Sequence, residues 1–134
     1  METILKCENL CFSYDNNKAL NNINMEIEKG SITAIMGKNG AGKSTLFLNI
    51  NGVYIKDSGK VFFNNQEVIY NKKGISEIRK NIGIVFQDPN DQLFSASVLK
   101  DVSFGAINMG LSKEEAKTRS IEALKEVGMY EYCD

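Results

Sequence analysis

The sequence predicts a mixed α/β fold, with antiparallel strands early in the chain and parallel elements around a glycine-rich loop. Three observations predict it. The apolar run Ser31 to Met36 leads directly into a glycine-spaced stretch, Gly37 to Ser44, and then into an apolar segment of helical character. Alternating apolar residues flank short Asn- and Asp-rich turns, as hairpins require. A second apolar run, Ile82-Gly83-Ile84-Val85-Phe86, ends at Gln87 and gives way to a polar loop and two further helical patterns.

Taken in order, Ile4, Leu5, Cys7, Leu10 and Phe12 to Tyr14 read as a first strand. Asp15-Asn16-Asn17 supplies a turn, and Ala19 to Ile27 reads as a second strand alternating at Ile23, Met25 and Ile27. Lys29-Gly30 turns into Ser31 to Met36, a short strand expected to be buried. After the glycine loop, Thr45 to Ile50 is apolar at Leu46, Phe47, Leu48 and Ile50, and Asn51-Gly52 is a helix stop. Lys60 to Phe63 and Glu67 to Tyr70, joined by Asn64-Asn65, form a hairpin. Lys72 to Asn81 reads as a short helix or a turn, and Ile82 to Phe86 as a buried strand. Asp88 to Gln92 is a polar loop, and Val98 to Gly105 a short helix. Ser112 with Glu115 is a capping box that opens a helix to about Val127. Ala116, Ile121, Leu124 and Val127 give it a partial apolar stripe, with Lys113, Lys117 and Lys125 facing water.

The stretch Gly37-Lys38-Asn39-Gly40-Ala41-Gly42-Lys43-Ser44, followed by Thr45, fits the P-loop spacing: two glycines five apart with Lys and Ser directly after the second. Strand, glycine loop and helix in that order make it a candidate phosphate site. Gly37, Gly40 and Gly42 permit backbone conformations closed to residues with a β-carbon and let the chain approach phosphate oxygens. Successive loop amides with the first helical turn then form an anion-binding nest. That nest is not enough by itself. A helix N-terminus offers roughly half a positive charge, whereas a nucleoside triphosphate carries about four negative ones. Lys43 and a divalent metal must supply the balance, and the Ser44 hydroxyl is the kind of oxygen ligand such a metal takes.

Composition narrows the classes. The chain has 134 residues, 43% hydrophobic and 25% charged, with a formal net charge of -1. That charge gives no field to draw it to nucleic acid or an anionic membrane. No apolar run reaches bilayer-spanning length, and Met1 to Cys7 lacks the apolar core of a signal peptide. Cys7, Cys11 and Cys133 have neither disulfide nor zinc spacing, and Cys7 and Cys11 read as small buried hydrophobes of a reducing compartment. With no histidine, His-based acid–base chemistry and His metal sites are excluded.

These features together resemble the ATP-binding cassette (ABC) ATPases, the motor subunits of membrane transporters. The resemblance runs from Phe12-Ser13-Tyr14 through the glycine loop to Val85-Phe86-Gln87 and Asp101-Val102-Ser103-Phe104-Gly105. It implies a P-loop NTPase fold made of an antiparallel β subdomain, a partial parallel RecA-like core and the start of a helical subdomain. Residues 1–134 then form one incomplete nucleotide-binding domain. Residues 1–30 and 58–70 are its antiparallel part, 31–52 and 82–87 its P-loop core, and 88–134 the Q-loop and first helices. It implies ATP and Mg2+ as cofactors. Tyr14 sits where the family places an aromatic that stacks on adenine, an interaction worth on the order of 1–3 kcal/mol and tolerant of different bases. Gly37, Lys38, Asn39, Gly40, Ala41, Gly42, Lys43, Ser44 and Thr45 would hold the phosphates, with Lys43 on the β and γ groups and Thr45 on an inner one. Ser44 and Gln87 would meet the metal, and Lys43 and Gln87 would be the catalytic residues of this part. The segment Asp88-Pro89-Asn90-Asp91-Gln92-Leu93-Phe94 looks like the ATPases of energy-coupling-factor importers, including cobalt, nickel and vitamin systems.

The resemblance further implies partners and a place. The region after Gln87 would meet transmembrane subunits, and a second ATPase subunit, identical or different, would complete a dimer. No nucleic acid and no direct membrane insertion are expected; the protein would be cytoplasmic and peripheral on the inner face of the cell membrane. Three family elements are missing from the sequence: the apolar strand ending in Asp-Glu, the Leu-Ser-Gly-Gly-Gln signature and the switch histidine. The chain therefore reads as the amino-terminal half of such an ATPase. Its core strands are expected to show unpaired edges and uncovered apolar faces, and the 134 residues alone to bind phosphate weakly without turnover. A truncated nucleotide-binding or interaction module and a soluble non-transport ABC protein are the alternatives.

Overall fold

The computed structural model describes residues 2–134. They divide into two compact units, Met1–Ile84 and Val85–Asp134.

The first unit is built on a four-stranded sheet: β1 (Thr3–Tyr14), β2 (Asn17–Glu28), β3 (Ser58–Phe63) and β4 (Gln66–Glu67), in the order β2-β1-β3-β4. Every pairing in it is antiparallel. Asp15, with φ 49°, turns β1 into β2, and Asn64 and Asn65, with φ 48° and 61°, turn β3 into β4. Asx residues at positive φ are what a tight hairpin turn needs, because the short polar side chain tolerates the left-handed region. Asn9 and Asn22 also take positive φ, where the register of β1 against β2 shifts. The Asn9 N–H donates to Asn24 Oδ1 at 2.9 Å across that bulge. Cys7, Leu10 and Val61 lie wholly inside and Leu20 nearly so, and α1 (Lys43–Ile50) covers them with Leu46 and Ile50.

Helix α1 stops as the sequence predicts. Asn51 is its C-cap, and Gly52 at φ 72° sends its N–H to the Asn49 carbonyl, while the Val53 N–H reaches Leu48. The ambiguous stretch after the hairpin is a helix, α2 (Lys72–Asn81), capped by the Asn71 side chain on the Gly74 N–H. Its Ile78 completes the core.

The second unit contains a 3-10 turn at Pro89–Asp91, the helices α3 (Val98–Asn108) and α4 (Lys113–Glu126), and a further 3-10 turn at Tyr130–Tyr132. The capping box forms: Ser112 and Glu115 exchange side-chain and backbone bonds. Ala116 and Leu124 are buried, as the stripe predicts, but Val127 is not; it follows the last helical turn and is exposed.

Two expectations fail. Neither Ser31–Met36 nor Ile82–Phe86 is a strand, and neither run is buried. Ile32 is 100% exposed, Met36 90% and Val85 91%. The reason is partnership. An apolar run can be a buried parallel strand only between neighbours that take its hydrogen bonds and cover both faces. Among the described residues no strand pairs with either run. The sheet that does form is antiparallel throughout.

Candidate functional site

The glycine loop lies at the surface of the first unit between the extended run 31–36 and α1. Gly40 and Gly42 take φ of 80° and 91°, and Gly42 is the N-cap of α1. At Gly42 a β-carbon would lie 2.5 Å from the Ala19 carbonyl oxygen, so the requirement for glycine is steric as well as conformational. The loop packs directly on the start of β2 there.

No side chain caps α1. The first intrahelical bond runs from the Leu46 N–H to the Gly42 carbonyl. The N–H groups of Asn39, Gly40, Gly42, Lys43, Ser44 and Thr45 find no acceptor among the described residues. These donors lie at and just before a helix N-terminus that no side chain caps, the arrangement that accepts an anion. The Lys43 ammonium folds back over the loop and donates to the carbonyls of Gly37 at 2.7 Å and Lys38 at 2.8 Å. It has no carboxylate partner among the described residues. The exposed Ser44 hydroxyl makes no protein hydrogen bond among them either, so its oxygen is available to a hard cation that keeps most of its waters. The donor set therefore fits a magnesium-bound polyphosphate.

Tyr14 ends β1 beside this loop. Its hydroxyl lies 3.0 Å from Thr45 Oγ1, in the first turn of α1. Its ring meets Phe12 edge-on at 4.9 Å and Tyr54 edge-on at 5.5 Å, while Phe12 and Tyr54 stack at 5.2 Å. Tyr14 is 42% exposed and so is within reach of a ligand from solvent. The neighbouring Tyr14 hydroxyl pushes the Tyr54 phenol above its ordinary pKa. Phe12, already read as part of the first strand, and Tyr54 belong to the site environment, and the sequence gives no periodic reason to single out Tyr54. The only signal is an aromatic residue two positions beyond the helix stop.

The structure thus brings Tyr14, the loop residues 37–44 and Thr45 together. Gln87 lies in the second unit, exposed, between the run 82–86 and the turn at Pro89. The Phe86 N–H there is 3.4 Å from Gln92 Oε1. Among the described residues no cluster of His, Cys, Asp or Glu could hold a metal ion by itself, and no helix is long and apolar enough to cross a membrane.

A glycine loop of open amides on an α/β scaffold, with a lysine over it and an aromatic beside it, defines a nucleotide-phosphate-binding class of protein. The profile of the ABC transporter family matches residues 20–134, and the chain belongs to that family. It is 49% identical over its whole length to the energy-coupling factor transporter ATP-binding protein EcfA of Methanosphaera stadtmanae, covering 49% of that relative. It is 54% identical over 127 residues to EcfA2 of Clostridium perfringens, covering 94% of this chain and 45% of the relative. The chain spans about half the length of the curated relatives it matches. Among solved structures, cbiO1 from Clostridium perfringens, described as part of the ABC transporter complex cbiONQ, matches with a TM-score of 0.84 and 51% identity. The match covers all of this chain and 54% of that one. The dimeric ABC transporter cassette MJ0796 matches at 0.81 and 27% identity, over 98% of this chain and 60% of that one.

Proposed function

We propose that this chain is the nucleotide-gripping portion of an ATP-binding subunit of an energy-coupling-factor importer, in which ATP binding and hydrolysis drive transport. The observation that carries this is the loop itself: the amides of Asn39, Gly40, Gly42, Lys43, Ser44 and Thr45, without acceptors among the described residues, beside a lysine that rests on loop carbonyls. A polyphosphate offers both sets of donors acceptors of the opposite charge. The chemistry is phosphoryl transfer to water, where positioning and charge neutralisation carry most of the catalysis. Lys43 neutralises the β and γ phosphates, Ser44 holds magnesium, and Thr45 and the loop amides bind the inner phosphates. Bound magnesium supplies further neutralisation of the phosphate charge. Tyr14 stacks on adenine. For Gln87 the family resemblance implies a role toward the metal and the γ phosphate.

The energy-coupling-factor assignment rests on the names of the relatives and on the stretch 88–94. Leu93 and Phe94, 65% and 63% exposed, with Phe94 edge-on to Phe104 at 4.7 Å, offer an apolar contact for a transmembrane subunit. The whole protein would work as a cytoplasmic dimer of ATPase subunits on the inner face of the membrane, importing cobalt, nickel or a vitamin.

For these 134 residues alone a second reading has its own support: the sequence contains no Asp-Glu strand, no signature and no histidine. The chain by itself would bind nucleotide without hydrolysing it. Titration with Mg-ATP, alongside a phosphate-release assay, tests both. Weak saturable binding that Lys43→Ala abolishes, with no phosphate release, is expected. Equal binding by the wild type and Lys43→Ala would remove the phosphate-site reading. Phosphate release that depends on Lys43 would remove the second one.

A further inference from the structure

The base platform and the phosphate helix share a hydrogen bond, and that bond has a direction that matters. Tyr14 Oη and Thr45 Oγ1 are 3.0 Å apart, and either could donate. Thr45 is buried, whereas the N–H groups around it have no acceptor among the described residues. A threonine hydroxyl has one proton and two acceptor sites. If Thr45 gave its proton to Tyr14, it would present only lone pairs to an incoming anion. If Tyr14 gives its proton to Thr45, the threonine proton stays available to the anion. An anion in the loop selects the second arrangement, because only then does every proton in the chain point toward the negative charge.

We propose that Thr45 is a positioning residue for Tyr14: the Tyr14 O–H donates to Thr45 Oγ1, fixes the ring over the nucleotide site, and leaves the Thr45 proton for an inner phosphate. Three contacts hold the ring: the edge contacts to Phe12 and Tyr54 and the hydroxyl bond to Thr45. The two aromatic contacts restrict the ring to one side; the hydroxyl sets its depth against α1. The side-chain freedom otherwise lost on stacking is then lost before the ligand arrives. Occupation of the phosphate loop and stacking of the base become coupled through one pair of hydroxyls. This rests on the nucleotide-site reading and adds to it the role of the tyrosine oxygen, which stacking does not need.

Equilibrium titrations of the full chain with ATP and, separately, with inorganic triphosphate test it, using Tyr14→Phe, Tyr14→Ala, Thr45→Val and the Tyr14→Phe/Thr45→Val double variant, each checked for folding by circular dichroism. Tyr14→Phe keeps the ring and is expected to weaken ATP on the order of three- to tenfold, the scale of one hydrogen bond. Thr45→Val is expected to weaken both ligands. Added to Thr45→Val, Tyr14→Phe is expected to cost nothing further. Additive losses, or unchanged ATP affinity in Tyr14→Phe, overturn the inference. If Tyr14→Phe is silent while Tyr14→Ala weakens ATP, stacking stands and only the hydroxyl role falls. If Tyr14→Ala is also silent while Lys43→Ala loses ATP, the base platform itself is wrong and the inference falls with it. If the folded wild type binds neither ligand, the phosphate-site reading fails and takes the inference with it.

Discussion

Asn51, the C-cap of α1, donates its side-chain amide to the Ile82 carbonyl at 2.6 Å, across 31 residues of sequence. Arg79 of α2 closes the same corner, with Nε 3.3 Å from the Asn51 carbonyl and Nη2 2.9 Å from that of Gly52. A guanidinium on the last carbonyls of a helix satisfies orphan acceptors and complements the negative end of the helix dipole. The helix that begins at the phosphate loop is therefore tied at its other end to the start of the run that leads to Gln87.

Removing that tie has a defined cost. Asn51→Ala leaves the Ile82 carbonyl without this donor and is expected to lower unfolding free energy by about 1–2 kcal/mol; Arg79→Met, which removes charged donors, by about 1.5–3 kcal/mol. Urea denaturation of each variant measures both. Changes below a few tenths of a kcal/mol would show the corner to be incidental.

Gly42→Ala is expected to be more severe. It forces a β-carbon to within 2.5 Å of the Ala19 carbonyl at a φ of 91°. A strained left-handed residue alone costs on the order of 1–3 kcal/mol, and here β2 must also move. Gly40→Ala, also at positive φ but with open space around it, serves as the control for strain without a clash. Comparable melting shifts in the two would refute the steric part of the argument.

The exposed apolar runs predict association. Ile32, Met36 and Val85 present large exposed side chains on runs that join no strand among the described residues, the pattern that pairs with another chain. Light scattering after size-exclusion chromatography is expected to show dimers or larger species, reduced by Ile32→Lys with Met36→Lys. A concentration-independent monomer with a sharp reversible melt would contradict this.

Cys7 predicts an alkaline limit to stability. It is fully buried, and burial pushes its thiol from the ordinary 9.0 up to about 11. The folded chain then keeps a proton that the unfolded chain loses. The contribution is fully present below pH 9 and is lost as pH rises through about 11. Tyr70, whose hydroxyl donates to the Asn49 carbonyl at 2.7 Å, is pushed the same way by burial, and its ordinary value is higher. The slope just above pH 9 therefore belongs to Cys7. Denaturation midpoints are expected to fall from pH 9 upward in the wild type, and Cys7→Ala to start lower but fall less over the first unit. Parallel slopes would rule the thiol out.

Much of this was legible locally. The Asn64-Asn65 hairpin, the Asn51-Gly52 stop and the Ser112–Glu115 capping box are each decided by a few adjacent residues, and each forms, although the hairpin's returning strand is Gln66–Glu67 rather than Glu67 to Tyr70. The glycine loop is legible for the same reason: residues 37–44 make their own nest, and the helix that follows is the next thing in the chain. Tyr54 and Arg79 were not legible, because what places them beside Tyr14 and Gly52 is packing between distant segments.

By itself the sequence determined the turns, the helix caps and the glycine loop that opens α1, since these depend on backbone conformation and on side chains within a few positions. Whether an apolar run becomes a strand was decided only in three dimensions. Val61 and Ile32 are both β-branched residues in runs that read as strands, yet Val61 is wholly buried and Ile32 wholly exposed. The difference is neighbours: β1 lies beside Val61 with Cys7 opposite it, and the Val68 N–H donates to the Val61 carbonyl at 2.8 Å, while no strand among the described residues lies beside Ile32. A strand exists only where a neighbour accepts its backbone, and no single stretch of sequence carries its own neighbour.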